Sequence, residues 1–150
     1  MVILMKYFGF FLLLTTGLMA GPAVDQFGNK HELINTSGYT VLDFAASWCK
    51  PCWKALPHLQ EFANANPNIK VVVVSVDDTE NGRDMLVKKL KLTMPVVWDE
   101  GHKIAETYNP PGMPTTMILD KDGKIVYSHV GFSTGKWAKF RETLKNLTSP

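Results

Sequence analysis

The sequence is poor in cysteine, because only Cys49 and Cys52 occur among its 150 residues. Small secreted proteins that depend on disulfides for their fold carry several cysteine pairs, so this class of protein is excluded. The two cysteines form one C-x-x-C motif. The motif therefore has to be explained by its chemistry or by coincidence.

The chain also has no large excess of either charge. It contains 16 Lys and Arg and 14 Asp and Glu, which gives a formal net charge of +2. The charges are interleaved, without a basic run or a basic-aromatic stripe. Nucleic-acid-binding domains carry clustered positive charge, so we expect no nucleic-acid partner. The chain has no internal repeats, and its length suits one domain.

A long apolar run follows Lys6 at the N-terminus and covers residues 7–20, before the small residues Gly21-Pro22-Ala23. A positive charge, an apolar run and small residues in this order are typical of a secretory signal. The run is shorter than the roughly 20 residues that a membrane-spanning helix needs. We expect residues 1–20 to be a signal peptide that exports the protein to a periplasm of the Gram-negative kind, with an uncleaved inner-membrane anchor as the alternative.

Apolar periodicity and turn residues divide the rest of the chain into alternating strands and helices. The predicted strands are 39–44, 69–76, 95–98, 115–119 and 124–130, and the predicted helices are 52–65, 104–108, one carrying Met85, Leu86 and Leu90, and one carrying Trp137, Phe140, Leu144 and Leu147. Gly28-Asn29 predicts an N-terminal β-hairpin between 24–27 and 30–33. This order predicts an α/β domain over residues 24–148, with a central mixed β-sheet flanked by helices.

The cysteine pair lies where the predicted strand 39–44 runs into a helix. Free backbone N–H groups and the positive end of the helix dipole stabilise a thiolate at such a position. Cys49 is therefore the candidate nucleophile, and Cys52 is the candidate resolving thiol that closes a redox-active disulfide. Lys50 adds a positive charge that favours the thiolate, and Pro51, which lacks an N–H, suits the first helical turn.

A structural disulfide and half of a zinc site are the alternative interpretations of the pair. A disulfide that closes so short a loop restrains little chain entropy. The histidines at 31, 58, 102 and 129 show no metal-binding spacing with each other or with the cysteines. We expect no metal and no diffusible cofactor, because the electrons reside in the two sulfur atoms.

The string Trp48-Cys49-Lys50-Pro51-Cys52, with Asp43 upstream and Pro57 downstream, resembles the thioredoxin superfamily. Met113-Pro114-Thr115-Thr116 resembles the cis-proline loop of that family, which lies against the cysteines and pairs with the substrate backbone. The resemblance implies a thioredoxin-like fold and a substrate-binding role for Met113, Pro114 and Thr115. It also implies a cis Met113–Pro114 bond, with an ordinary trans turn proline as the alternative.

Asp43 stands at the strand position where thioredoxin has its buried acid. Burial near Cys52 would raise the pKa of this carboxyl and let it relay the proton of the resolving thiol. Asp43 is therefore the candidate general base, with a purely structural, hydrogen-bonded acid as the alternative. Trp48 is expected both to pack the cysteine loop and to border the nucleophile.

The extra helix and strand between Val76 and Pro114, and the string Gly123-Lys124-Ile125-Val126, resemble the exported TlpA-type branch, which implies a central βα insertion. Many cytochrome-maturation members of this branch have Glu where this chain has Ala55, so that specialised role is not carried over. The resemblance to a reducing branch favours a reductase of protein disulfides, which would receive its electrons from a membrane or periplasmic partner. We expect the protein to be a monomer. The competing predictions are a disulfide-forming oxidase of the same fold and a groove-binding, chaperone-like module without turnover.

Overall fold

The computed structural model describes residues 23–150, and the predicted signal peptide lies outside the described residues. The elements are β1 (Ala23–Val24), β2 (Lys30–His31), β3 (Thr40–Ala45), α1 (Lys50–Ala65), β4 (Lys70–Ser75), α2 (Glu80–Leu90), β5 (Val96–Trp98), a 3-10 turn (Glu100–His102), α3 (Lys103–Tyr108), β6 (Thr115–Leu119), β7 (Ile125–Val130) and α4 (Thr134–Thr148). The predicted order of strands and helices is confirmed. Between residues 23 and 150, no helix combines the length and the apolar character that crossing a membrane requires.

The central sheet has the strand order β5-β4-β3-β6-β7. β3 pairs in parallel with β4, and β4 with β5, whereas β6 and β7 continue the sheet in antiparallel fashion. All six residues of β3 are buried, as expected for a central strand that is covered on both faces. The predicted mixed sheet of a thioredoxin-like fold is therefore confirmed.

One row of residues crosses three strands of this sheet beneath helices α1 and α4. Asp43 on β3 lies opposite Thr116 on β6, which in turn lies opposite His129 on β7. Residues that are directly opposite in paired strands project from the same face. The His129 ring is 6.3 Å from that of Phe140 on α4, and Phe140 is 5.3 Å from Phe62 on α1, both between centroids. The two helices therefore cover the face that carries Asp43.

The opposite face of the sheet packs against α3. Phe44 follows Asp43 in β3 and therefore projects from the other side of the sheet. Its ring centroid lies 6.2 Å from that of Tyr108 on α3. Helices thus flank both faces, as the sequence predicted.

The N-terminal hairpin forms, but its strands have two residues each rather than the predicted four. The difference arises because Asp25 accepts hydrogen bonds from the N–H groups of Phe27 and Asn29, which draws residues 25–29 into the turn. Gln26 fastens the hairpin to the sheet, because its side-chain amide bonds the carbonyl of Met94 and the N–H of Val96. The hairpin therefore shields the start of β5.

The charge of Asp25 contributes to the free energy of unfolding, and wild type loses this contribution as pH falls below about 4. Replacing Asp25 with Asn is expected to remove it. Burial by itself raises the pKa of Asp25, but hydrogen bonds from His31, from Asn29 and from the Phe27 N–H outweigh it and lower the pKa from 3.8 to about 2. A lowered pKa stabilises the fold above the unfolded value, and this stability is lost as pH falls towards 2. The difference corresponds to about 2 kcal/mol.

Urea unfolding of wild type and Asp25→Asn from pH 2 to 5 tests this expectation. The variant is expected to be less stable at pH 5 and to converge with wild type near pH 2. Curves that remain parallel over the whole range would contradict the role of the Asp25 charge.

Candidate active site

The two cysteines lie at the N-terminus of α1 and are joined by a disulfide, with their Cα atoms 5.3 Å apart. α1 begins at Lys50 rather than at the predicted Cys52, because Cys49 is the N-cap and its Sγ accepts the Cys52 N–H at 3.3 Å. Cys52 is fully buried, whereas Cys49 retains 5% exposure. The first sulfur is therefore the one closer to solvent and to the positive end of the helix dipole.

The side chains that surround the pair are exposed. Lys50 and Pro51 are both exposed, and Pro51 lies in the first turn of α1, where a missing N–H costs nothing. Trp48 is 65% exposed, an unusual state for so large an apolar side chain. Its exposure leaves an apolar surface directly beside Cys49.

The loop that precedes the cysteines is held by a buried carboxylate that the sequence analysis missed. Asp77 follows β4, is only 4% exposed, and accepts hydrogen bonds from the N–H and the hydroxyl of Ser47 at 3.0 and 2.6 Å. The Ser75 hydroxyl also donates to Asp77, at 2.7 Å. The Trp53 indole N–H donates to the Ser47 carbonyl at 2.8 Å. Ser47 is thus fixed on both sides, two residues before Cys49.

Asp77 could have been recognised as a candidate from its position. It lies two residues after the end of the buried strand β4, which is parallel to β3, and the carboxyl ends of parallel strands meet at one edge of a sheet. An acid there lies close to the residues that follow β3, which include Ser47.

Asp43 is the predicted general base and is 2% exposed. The Thr116 hydroxyl donates to Oδ1 of Asp43 at 2.6 Å. In the part of the chain that the structure describes, Oδ2 has no hydrogen-bond partner. Burial raises the pKa of Asp43 to about 7, although the hydrogen bond from Thr116 acts in the opposite direction. The carboxyl therefore changes its protonation state near neutral pH, beneath the helix that carries Cys52.

The Met113–Pro114 peptide bond is cis. Pro114 is buried, and its carbonyl accepts the Gly131 N–H at 2.7 Å. Thr115 is fully buried and donates its hydroxyl to the Gly112 carbonyl at 2.6 Å. The Thr115 hydroxyl is thus hydrogen-bonded within its own loop.

A groove of about 560 Å³ lies between Trp48 and α3. Trp48 and Met113 both line it, so the structure brings together two predicted site residues that are far apart in the sequence. Ala105, Glu106 and Asn109 supply the α3 side. The groove is open and joins the exposed indole to the proline loop.

Residues 23–150 contain no group of three or more His, Cys, Asp or Glu side chains arranged to hold a metal ion. His31 bonds Asp25 at 2.7 Å, and His58 stacks on Phe132 with ring centroids 5.0 Å apart.

Comparisons with known proteins agree with this geometry. The family model described as thioredoxin-like matches residues 37–125. The chain is 36% identical over 113 residues to the thiol-disulfide oxidoreductase ResA of Bacillus cereus (strain ZK / E33L), an alignment that covers 73% of this chain and 65% of the relative. It is 32% identical over 117 residues to the sporulation thiol-disulfide oxidoreductase A of Bacillus subtilis (strain 168), with 75% of this chain and 71% of the relative covered.

A solved structure shows the same fold. The exposed lipoprotein thioredoxin Etrx1 of Streptococcus pneumoniae strain TIGR4 is 30% identical and superposes with a TM-score of 0.71, over 84% of this chain and 98% of that chain. The chain spans just under two thirds of the length of the ResA relative and somewhat more of the sporulation protein.

Proposed function

Because the chain belongs to the thioredoxin-like family, we propose that it is a thiol-disulfide oxidoreductase whose reaction takes place at Cys49 and Cys52. The observation that carries this proposal is the disulfide at the N-terminus of α1, in which Cys52 is fully buried and Cys49 retains 5% exposure. The relatives described above are named thiol-disulfide oxidoreductases, which supports the same reaction class.

Cys49 is the nucleophile of the proposed reaction. In the reduced protein, its thiolate attacks one sulfur of a substrate disulfide, and the other substrate sulfur leaves as a thiolate. The N-terminus of α1 stabilises the Cys49 thiolate through its dipole, and Lys50 adds a nearby positive charge. Pro51 fixes the backbone of the first helical turn.

Cys52 resolves the mixed disulfide that this attack forms. The Cys52 thiol loses its proton to Asp43, and the resulting thiolate attacks Cys49, which closes the Cys49–Cys52 disulfide and releases the second substrate thiolate. The substrate disulfide is reduced by two electrons and the cysteine pair is oxidised by two. The reaction therefore draws on no diffusible cofactor.

Protein thiols and disulfides are the proposed substrates. The groove has a mixed apolar and polar lining that includes Trp48 and Met113. These two residues are the sequence neighbours of Cys49 and of the cis-proline Pro114. A substrate segment that lies in this groove brings its cysteine to Cys49. Trp48 supplies contact area that is already exposed in the free protein.

The direction and the place of the reaction are part of the proposal. We assign the protein as a monomeric reductase outside the cytoplasm, with residues 1–20 as its export signal or anchor and a membrane or periplasmic protein as its electron donor. The apolar run after Lys6 supports export, and one relative is itself named an exposed lipoprotein thioredoxin. The resemblance to a reducing branch supports the reductase direction.

Reduction of insulin in the presence of dithiothreitol tests the proposal. The wild-type protein is expected to accelerate precipitation of the insulin B chain, whereas the Cys49→Ser, Cys52→Ser double variant is expected to match dithiothreitol alone. Equal rates for both proteins would contradict the proposed enzyme activity and would favour a groove-binding module without turnover. A reduction potential near −270 mV, typical of thioredoxin, supports the reductase, and one near −120 mV would assign an oxidase.

A further inference from the structure

A hydroxyl group links the candidate general base to the strand that follows the proline loop. Thr116 lies two residues after Pro114, is 5% exposed, and faces Asp43 directly across the antiparallel β3–β6 pair. Its hydroxyl donates to Oδ1 of Asp43 at 2.6 Å, which leaves Oδ2 without a partner in the described chain. The two carboxyl oxygens are therefore not equivalent.

We propose that Thr116 is a positioning residue for Asp43, which holds Oδ1 so that Oδ2 is the oxygen that exchanges a proton with the resolving thiol Cys52. This inference rests on the proposed function, because it assigns a role within the same reaction. Thr116 itself touches neither substrate nor sulfur in this role. It acts by orienting the carboxyl and by favouring the charged form.

The proton transfer is a simple exchange between two buried groups. The S–H bond of Cys52 breaks and an O–H bond forms on Oδ2 of Asp43, while the electron pair stays on sulfur. Oδ1 accepts the Thr116 hydrogen bond both before and after the transfer, since the carbonyl oxygen of a carboxylic acid is still an acceptor. The carboxyl therefore keeps one orientation throughout the cycle.

The groups around Asp43 make Thr116 the main polar influence on it. On β4 the opposing residue is the apolar Val73. Of the titratable side chains on α1, Cys52 is buried, whereas Lys50, Lys54, His58 and Glu61 are exposed. Beyond Thr116 lies His129, whose pKa is lowered by burial and by Lys136 on α4. Both effects favour the neutral form of the His129 ring.

Three matched variants separate positioning from packing. Thr116→Val keeps the β-branched shape and removes the hydroxyl, and Thr116→Ser restores the hydroxyl. Thr40→Val is the control, because the buried Thr40 hydroxyl on the same strand as Asp43 has no hydrogen-bond partner in the described chain. Because a hydrogen bond favours the charged carboxylate, its loss is expected to move the Asp43 midpoint up by about one to two pH units.

Two readouts test the inference. The Asp43 midpoint is measured by carboxyl ¹³C NMR of the oxidised protein, which needs no turnover, and resolution of the mixed disulfide is measured as a function of pH. In Thr116→Val both midpoints are expected to rise together, in Thr116→Ser both return towards wild type, and in Thr40→Val neither moves.

The outcomes distinguish this inference from the function on which it rests. A uniform loss of rate in Thr116→Val, with both midpoints unchanged, assigns a packing role and overturns the inference alone. A raised NMR midpoint with an unchanged resolution profile also overturns it, since Asp43 then does not take the Cys52 proton. A wild-type protein that exchanges no disulfide overturns the proposed function and this inference together.

Discussion

The Asp43→Asn variant is expected to be more stable than wild type above pH 7 by on the order of 4 kcal/mol. Asp43 has its pKa raised by burial from 3.8 to about 7, so the folded state binds its proton more tightly than the unfolded chain does. The stability that comes from the protonated form is present below pH 3.8 and is lost as pH rises to about 7. Asn copies the neutral acid and does not lose this stability.

Urea unfolding of the oxidised protein at several pH values between 3 and 9 measures this difference. The curves of wild type and Asp43→Asn are expected to converge at the acid end and to separate as pH rises. Asp122→Asn is the matched control, because its carboxyl is exposed in the β6–β7 turn. A variant that is less stable than wild type at pH 8 would mean that the Asp43 charge is accommodated in the fold.

The Cys52→Ser variant is expected to accumulate a mixed disulfide with a protein substrate, while its turnover falls to the level of dithiothreitol alone. Cys49 still attacks, but the thiol that resolves the adduct is missing. The Cys49→Ser variant keeps only Cys52, which is fully buried and cannot meet a substrate disulfide. It is expected to lose turnover without forming an adduct.

Non-reducing gels and mass spectrometry of each variant, mixed with a disulfide-containing protein, distinguish the two cysteines. The adduct of Cys52→Ser is expected to disappear on adding excess reductant, which identifies it as a disulfide. An adduct that forms with Cys49→Ser and not with Cys52→Ser would reverse the assignment of the two sulfurs.

Patterns of hydrophobic residues predicted the sheet because burial is encoded locally. The four valines from Val71 to Val74 predicted a strand covered on both faces, and the spacing of Phe140 and Leu144 predicted the inner face of α4. The cysteine pair and Asp43 were predicted from their order along the chain. Each of these features depends on neighbours in sequence or on a motif of fixed spacing.

The contacts that hold the site could not be predicted in the same way, because they join distant segments. The hydrogen bond between Asp43 and Thr116 spans 73 positions, and the bonds between Ser47 and Asp77 span 30. The short hairpin strands were also missed, since the competing hydrogen bonds of the Asp25 side chain carry no periodic signal. The start of α1 moved by two residues because Cys49 itself serves as the cap.

Gly82 lies on α2, within the predicted insertion between Val76 and Pro114, and packs closely against Asp77. A Cβ atom at this position of α2 would lie 2.3 Å from Cγ of Asp77, so the helix and the carboxylate touch without room for a side chain. Trp98 on β5 closes the same region, because its indole N–H donates to the Asp77 carbonyl at 2.9 Å. The insertion therefore supports Asp77, which in turn holds Ser47 in the cysteine loop. A smaller redox scaffold made by deleting the insertion would lose these contacts, and its cysteine loop would no longer be fixed.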